Sequence, residues 1–202
     1  MKTSEIIVKS DGTGMEEALA EAEKIALSAS LDSKQKLRFR LLTEELFGMI
    51  STVTGDNEAV YWVENKDKSF DIHLKTDVEL TLQMKDKLVS LSSSGKNTAA
   101  RGFMGKIRDM IGSALLPRDD GPSPLTMGLM SMGSPSGYQV TGDVYEWSMM
   151  RYRAEVENKS GEDADAADAM DELERSIVAN IADEVSVRIV SNDVEIIISK
   201  AF

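Results

Sequence analysis

The chain has no cysteine in its 202 residues and a single histidine, His73. Without thiols, disulfides, thiolate metal sites and cysteine nucleophiles are excluded. One imidazole leaves histidine-based zinc sites unsupported, and with no Gly-x-Ser-x-Gly elbow a Ser-His-Asp triad has nothing to build on. Long apolar runs are missing too: Val194 to Ile198 is interrupted by Glu195, far short of the roughly 18 residues a membrane span requires. Met1 to Val8 lacks the apolar core and small-residue cleavage site of a secretory leader, which predicts a cytoplasmic protein with no membrane partner. Positive charge is scarce, with 23 Lys+Arg against 35 Asp+Glu for a net −12. Such acidity opposes broad binding to nucleic acid or anionic lipid, yet permits a small anionic ligand held by one basic loop.

What is present is an ordinary globular composition, 42% hydrophobic and 29% charged. A chain of this size buries about 70% of the surface its unfolded form exposes, so one domain over residues 1–202 is expected, with a core that needs no covalent staple. Glu5 to Lys9 reads as a strand, and Asp11-Gly12-Thr13-Gly14 punctuates it. Met15, Leu19, Ala22, Ala26 and Ala29 then recur at helical spacing. Asp32 or Ser33 caps a second helix, on which Phe39, Leu42, Leu46, Met49, Ile50 and Val53 form one stripe until Gly55-Asp56 stops it. Val60 to Val63 and Phe70 to Leu74, joined by Glu64 to Lys68, predict a hairpin. Beyond it, Leu80, Met84, Leu88 and Leu91 follow helical spacing, while Leu74, Val78, Leu80 and Leu82 equally extend the strand.

Ser92 to Asn97 has the composition of a loop, Gly102-Phe103-Met104-Gly105-Lys106 opens a helix through Ile107, Met110 and Ile111, and Pro117 closes it. Residues 118–140 hold Gly, Pro, Ser and Met with little periodicity, the mark of a flexible insertion, a long loop or lid. Tyr145, Trp147, Met149, Tyr152 and Val156 form an aromatic-rich cluster expected to face the core. The acidic, Ala-rich stretch at about 160–171 reads as an exposed linker, or as the first turn of a last helix carrying Leu173, Ile177, Ile181 and Val185. Val185, Val187 and Ile189 alternate up to Ser191-Asn192-Asp193, and Val194, Ile196 and Ile198 alternate after it, which predicts a second hairpin with one buried face. No internal repeat is visible. Hairpins flanked by helices in this order predict an α+β two-layer sandwich, a mixed or antiparallel sheet covered on one face by helices.

Three groups of residues carry chemical interest. Glu44 and Glu45 sit in the second helix, either as its solvated face or as carboxylates of a site. Asp77 follows Thr76 at the end of the strand, and its flank Val78-Glu79-Leu80 has no glycine. Gly102-x-x-Gly105-Lys106 enters a helix, where backbone N–H groups and the macrodipole suit phosphate. Lys96, Arg101, Lys106 and Arg108 concentrate positive charge there. Ser94-Gly95-Lys96-Asn97 is not the tail of a Walker A loop, because the preceding glycine and the Ser or Thr after Lys96 are missing. Gly102-x-x-Gly105 with Lys106 and Arg108 also resembles the backbone-clamping loop of KH RNA-binding modules, against which stands the net charge of −12.

The order strand, helix, helix with paired glutamates, hairpin, loop, glycine-flanked helix start, terminal helix and hairpin resembles the histidine-kinase-like ATP-binding fold. Sensor kinases, heat-shock chaperone ATPases, type II topoisomerases and anti-sigma-factor serine kinases share that fold, and the anti-sigma-factor branch is the most similar. Ser92 to Asn97 and Ser176 to Asn180 also resemble segments of ATP-binding proteins of Gram-positive anaerobes. The resemblance implies that Glu45 positions a water and that an Asn four residues later binds Mg²⁺. Met49 stands at that place, and a thioether is a poor ligand for a hard cation, so Mg²⁺ is not expected and ATPase or kinase activity is expected to be weak or absent. It further implies that Asp77 accepts the adenine amino group, although the Gly-x-Gly turn that lets backbone approach the ligand is missing. By the same likeness Gly95, Lys96, Gly102, Gly105 and Lys106 hold ATP or ADP. The implied role is regulatory, toward a protein partner whose contact depends on Ser92 to Arg101 and on residues 118–140. The alternative is an interaction module without a nucleotide, using the acidic surface and the segment of Met127, Met130 and Met132. His73 alternates with Ile72 and Leu74 and so points to the other face of its strand, as a structural or surface residue.

Overall fold

The computed structural model describes residues 1–48, 58–77, 107, 111, 137–141, 144–159 and 164–202. Alternation of apolar residues builds the sheet. In β2 (Glu58–Lys66) Ala59, Tyr61 and Val63 are buried, and in β3 (Ser69–Asp77) Phe70, Ile72 and Leu74 are. Both strands exceed their predicted spans, and the turn is Asp67-Lys68 alone, closed by the Lys66–Ser69 pair. In β6 (Glu184–Val190) and β7 (Asp193–Ala201), Val185, Val187, Ile189, Val194, Ile196 and Ile198 are buried in the same alternating way. With β1 (Ile6–Lys9), β4 (Tyr138–Thr141) and β5 (Val144–Ser148) they form a seven-stranded sheet of order β1-β2-β3-β7-β6-β5-β4. Every neighbouring pair is antiparallel.

Helices cover one face, giving the expected α+β two-layer sandwich. α1 (Met15–Ser28) buries Ala18, Ala22, Ile25 and Ala26. It starts at Gly14, whose φ of +78° suits glycine, and a Cβ there would collide with the Ile7 carbonyl oxygen. α2 (Ser33–Gly48) opens with a reciprocal cap: Gln35 N–H donates to Asp32 Oδ1 (2.8 Å) and Asp32 N–H donates to Gln35 Oε1 (2.9 Å). Phe39, Leu42, Thr43, Leu46 and Phe47 form its buried side. The predicted continuation through Met49, Ile50 and Val53, and the segment of Leu80, Met84 and Leu88, lie outside the described residues.

In the second half of the chain the aromatic cluster faces the core as expected, and it spans two elements: Val144–Ser148 is strand β5 and Met149 opens α3 (Met149–Lys159). Three other expectations are corrected. The stretch read as an acidic linker belongs, from Ala164, to α4 (Ala164–Arg175), which buries Ala166, Ala169 and Leu173. The single last helix is broken: Ser176 caps a separate α5 (Ile177–Ile181) by accepting from Ala179 N–H, and Val185 already lies in β6. Tyr138–Thr141 is strand β4, although the insertion was expected to reach residue 140; residues 118–136 lie outside the described set.

The chain lays down one arrangement twice. Among the described residues, strand β1, helices α1 and α2, then hairpin β2–β3 are matched by strand β5, helices α3 to α5, then hairpin β6–β7. The two units join where β3 pairs with β7, from Ser69↔Ala201 to Asp77↔Asp193. Ser69–Asp77 therefore corresponds to Asp193–Ala201, and the two turns agree in detail: Asp67 has φ +58° and Ser191 has φ +56°. At the junction Ile72, Leu74, Ile196 and Ile198 are at most 1% exposed, and each such side chain contributes about 1.5–3 kcal/mol by burial.

Candidate functional site

Aromatic contacts fix how α2 lies on the sheet. The Phe39 ring is 4.9 Å from Phe70 at the start of β3, and the Phe47 ring is 5.2 Å from Tyr61, whose register partner Leu74 lies toward the end of β3. α2 therefore runs in the direction of β3, and its last turn and Asp77 lie at the same end of the sheet. On one flank Arg40 bridges Glu23 of α1 (2.6 Å) and Glu44 (2.8 Å). Glu45, one residue further and rotated by about 100°, turns to the flank away from α1. It is half-buried and makes no hydrogen bond or ion pair with a described residue. Asp77 is exposed at the strand end, opposite Asp193, which Lys75 holds at 3.5 Å.

Of the residues singled out in the sequence, the structure thus brings Glu45 and Asp77 to one end of the fold. Gly95, Lys96, Gly102, Gly105 and Lys106 lie outside the described residues. The residue after Lys106 is described: Ile107 is helical and 1% exposed, and Ile111, also helical, is 2% exposed. Both belong to the same hydrophobic cluster as Leu42, Leu46, Leu74 and Ile196, so these two residues lie in the helix-covered core.

Two clusters were not legible as sites. Under α2, Tyr61 is fully buried and its hydroxyl has no hydrogen-bond partner. Burial pushes its phenol well above the ordinary value, the neighbouring Thr43 hydroxyl offsets part of this, and the charge of Glu21 adds to it. Thr43 Oγ1 itself donates to the Phe39 carbonyl at 3.1 Å. On the opposite face of the sheet, His73 stacks on Trp62 with ring centroids 4.5 Å apart and planes at 10°. Its Nδ1 lies 3.0 Å from Glu195 Oε1, while Nε2 is buried with no partner. Trp62 Nε1 donates to Glu64 (3.1 Å), and the Lys2 ammonium sits 4.5 Å above the indole. His73 is accordingly a buried structural residue with one nitrogen left over. The signal for this was cross-strand register, which pairs Trp62 with His73 and which spacing along one strand does not reveal.

Among the described residues no group of three or more acidic or imidazole side chains converges on a metal position. Among them also, no helix is long and apolar enough to cross a membrane. No family model, curated protein or solved structure matches the chain.

Proposed function

We propose that the chain is a cytoplasmic regulatory protein that binds ATP or ADP in the manner of the histidine-kinase-like ATPases and acts on a protein partner with little or no turnover. One observation carries this. Glu45 and Asp77 share one end of the sheet, and in sequence the stretch bearing Gly95, Lys96, Gly102, Gly105 and Lys106 lies between Asp77 and Ile107, which is buried in the helix-covered core. That arrangement supports a ligand between α2 and the segment before Ile107. Asp77 would take the adenine amino group, the glycine-bearing turn and Lys106 the phosphates, and Glu45 a water near them. Met49 supplies no hard oxygen ligand four residues after Glu45, so the reading assigns Mg²⁺ no part.

Thermal melting with ATP, ADP and GTP, each with and without Mg²⁺, tests it. An adenine nucleotide at 100 times its dissociation constant stabilises a protein by about 2.7 kcal/mol. The shift should be insensitive to Mg²⁺ and should shrink in Lys106→Ala. A chain that melts at one temperature under every condition is an interaction module without nucleotide. A measurable ATPase rate that Glu45→Ala abolishes overturns the absence of turnover.

A further inference from the structure

We propose that the outer surface of the helical layer is a self-association surface, on which α2 of one copy lies against α4 of a second copy in a closed, two-fold arrangement. In a chain of net charge −12, the first half of α2 collects Lys34, Lys36, Arg38 and Arg40 within seven residues. Arg40 is held by Glu23 and Glu44, whereas Lys34, Lys36 and Arg38 make no ion pair with a described residue. Beside them, α1 and α2 leave a groove of about 220 Å³ lined by Ala22, Ala26, Leu27 and Leu37. Leu27 is 61% and Leu37 57% exposed. Large aliphatic side chains this open, beside Lys36 and the Arg40–Glu23 pair that also line the groove, mark a contact surface.

The complement lies on the same layer. α4 turns Ala166, Ala169 and Leu173 inward, and presents Asp168, Asp171 and Glu174 to solvent at one-turn spacing. Arg175 pairs with Asp171 at 3.0 Å and leaves Asp168 and Glu174 on the stripe. α5 packs against both α2 and α4, so these two flank it, and its Ile177 is 49% exposed between them. A two-fold axis over α5 lays each α2 on the other copy's α4 and brings the two Ile177 side chains together. One patch meeting its own complement twice is the geometry of an isologous dimer, which closes at two copies.

The test is sedimentation velocity of the full chain over a roughly hundredfold concentration range. The wild type should form a dimer and nothing larger, and added salt should weaken it. Lys34→Glu/Lys36→Glu/Arg38→Glu makes both patches acidic, and Asp168→Lys/Asp171→Lys/Glu174→Lys makes both basic. Each variant alone should dissociate at least about tenfold more readily. Mixing the two restores opposite charges at both contacts, so a mixed dimer should reappear; misfolded variants cannot produce that rescue. A wild type that stays monomeric, as it would if α2 received an acidic helix of some other protein, overturns the proposal. So does a mixture that fails to associate, or assembly that continues beyond two copies.

Discussion

Hairpin β2–β3 stacks Trp62 on His73 on the face away from the helices, and at the corresponding places hairpin β6–β7 has Ser186 opposite Ile197. On the helix-facing side the two agree more closely: Phe70 answers to Val194, Ile72 to Ile196 and Leu74 to Ile198, all buried. The turns share a backbone, yet Asp67-Lys68 and Ser191-Asn192 have no residue in common. What faces the helices is apolar in both hairpins, and what faces away differs. The repetition is therefore a property of register and topology more than of residue identity.

The comparison can be broken most forcefully in the core. Phe70→Ala should destabilise by about 3–5 kcal/mol, because Phe70 also meets Phe39 and Phe202 at 4.9 and 5.8 Å. The matched Val194→Ala removes less volume and should lose clearly less, as read from urea unfolding midpoints. Equal losses would mean that the first hairpin has no greater hold on α2 than the second. The turns give a smaller and symmetrical test. Asp67→Gly and Ser191→Gly each relieve a positive φ and should stabilise by up to about 1 kcal/mol, with the same sign in both hairpins.

The smallest effect separates the hairpins by acid. Asp183 stands where the first hairpin has Ala59. Burial alone would raise its carboxyl, but the Ala201 N–H (2.7 Å) and Lys200 ammonium (2.6 Å) prevail and hold it below its ordinary 3.8. A carboxylate lowered on folding stabilises the protein above its unfolded pKa, and that contribution fades as pH falls through the folded one. Urea midpoints taken from about pH 7 to about pH 3 should decline less steeply at the acid end for Asp183→Asn than for the wild type. Parallel curves would show that Asp183 contributes nothing to the difference.

The sequence was most readable where one period ran uninterrupted. Val185 to Ile189 and Val194 to Ile198 each alternate without a break on either side of the turn, and β6–β7 follows them. The Phe39, Leu42 and Leu46 stripe and the Asp32 cap place α2 correctly. Strand β5 was hidden because Tyr145 and Trp147 alternate by two and then, with no turn residue between, Met149, Tyr152 and Val156 continue at helical spacing. α4 was hidden by the smallness of what it buries, Ala166 and Ala169, among conspicuous acids. Leu173, Ile177 and Ile181 share a four-residue spacing across two helices, and only the Ser176 cap marks the break. Of the candidate site, the element order only suggested convergence; it is the packing of α2 along β3 that puts Glu45 and Asp77 at one end of the sheet. The His73–Glu195 contact joins residues more than a hundred positions apart, and local pattern carries no information about it.

The junction of β3 with β7 bears on how the chain reaches this state. Nine residue pairs there connect Ser69–Asp77 to Asp193–Ala201, so the middle of the sheet is its least local part. Folding speed falls as such distant pairings dominate, because loop closure precedes any reward from contact. A hairpin β2–β3 that forms before Asp193–Ala201 has paired leaves β3 as an open edge. An edge of that length is a template for pairing with another nascent chain. Speed of completion and resistance to aggregation are thus bound to the arrival of one late strand.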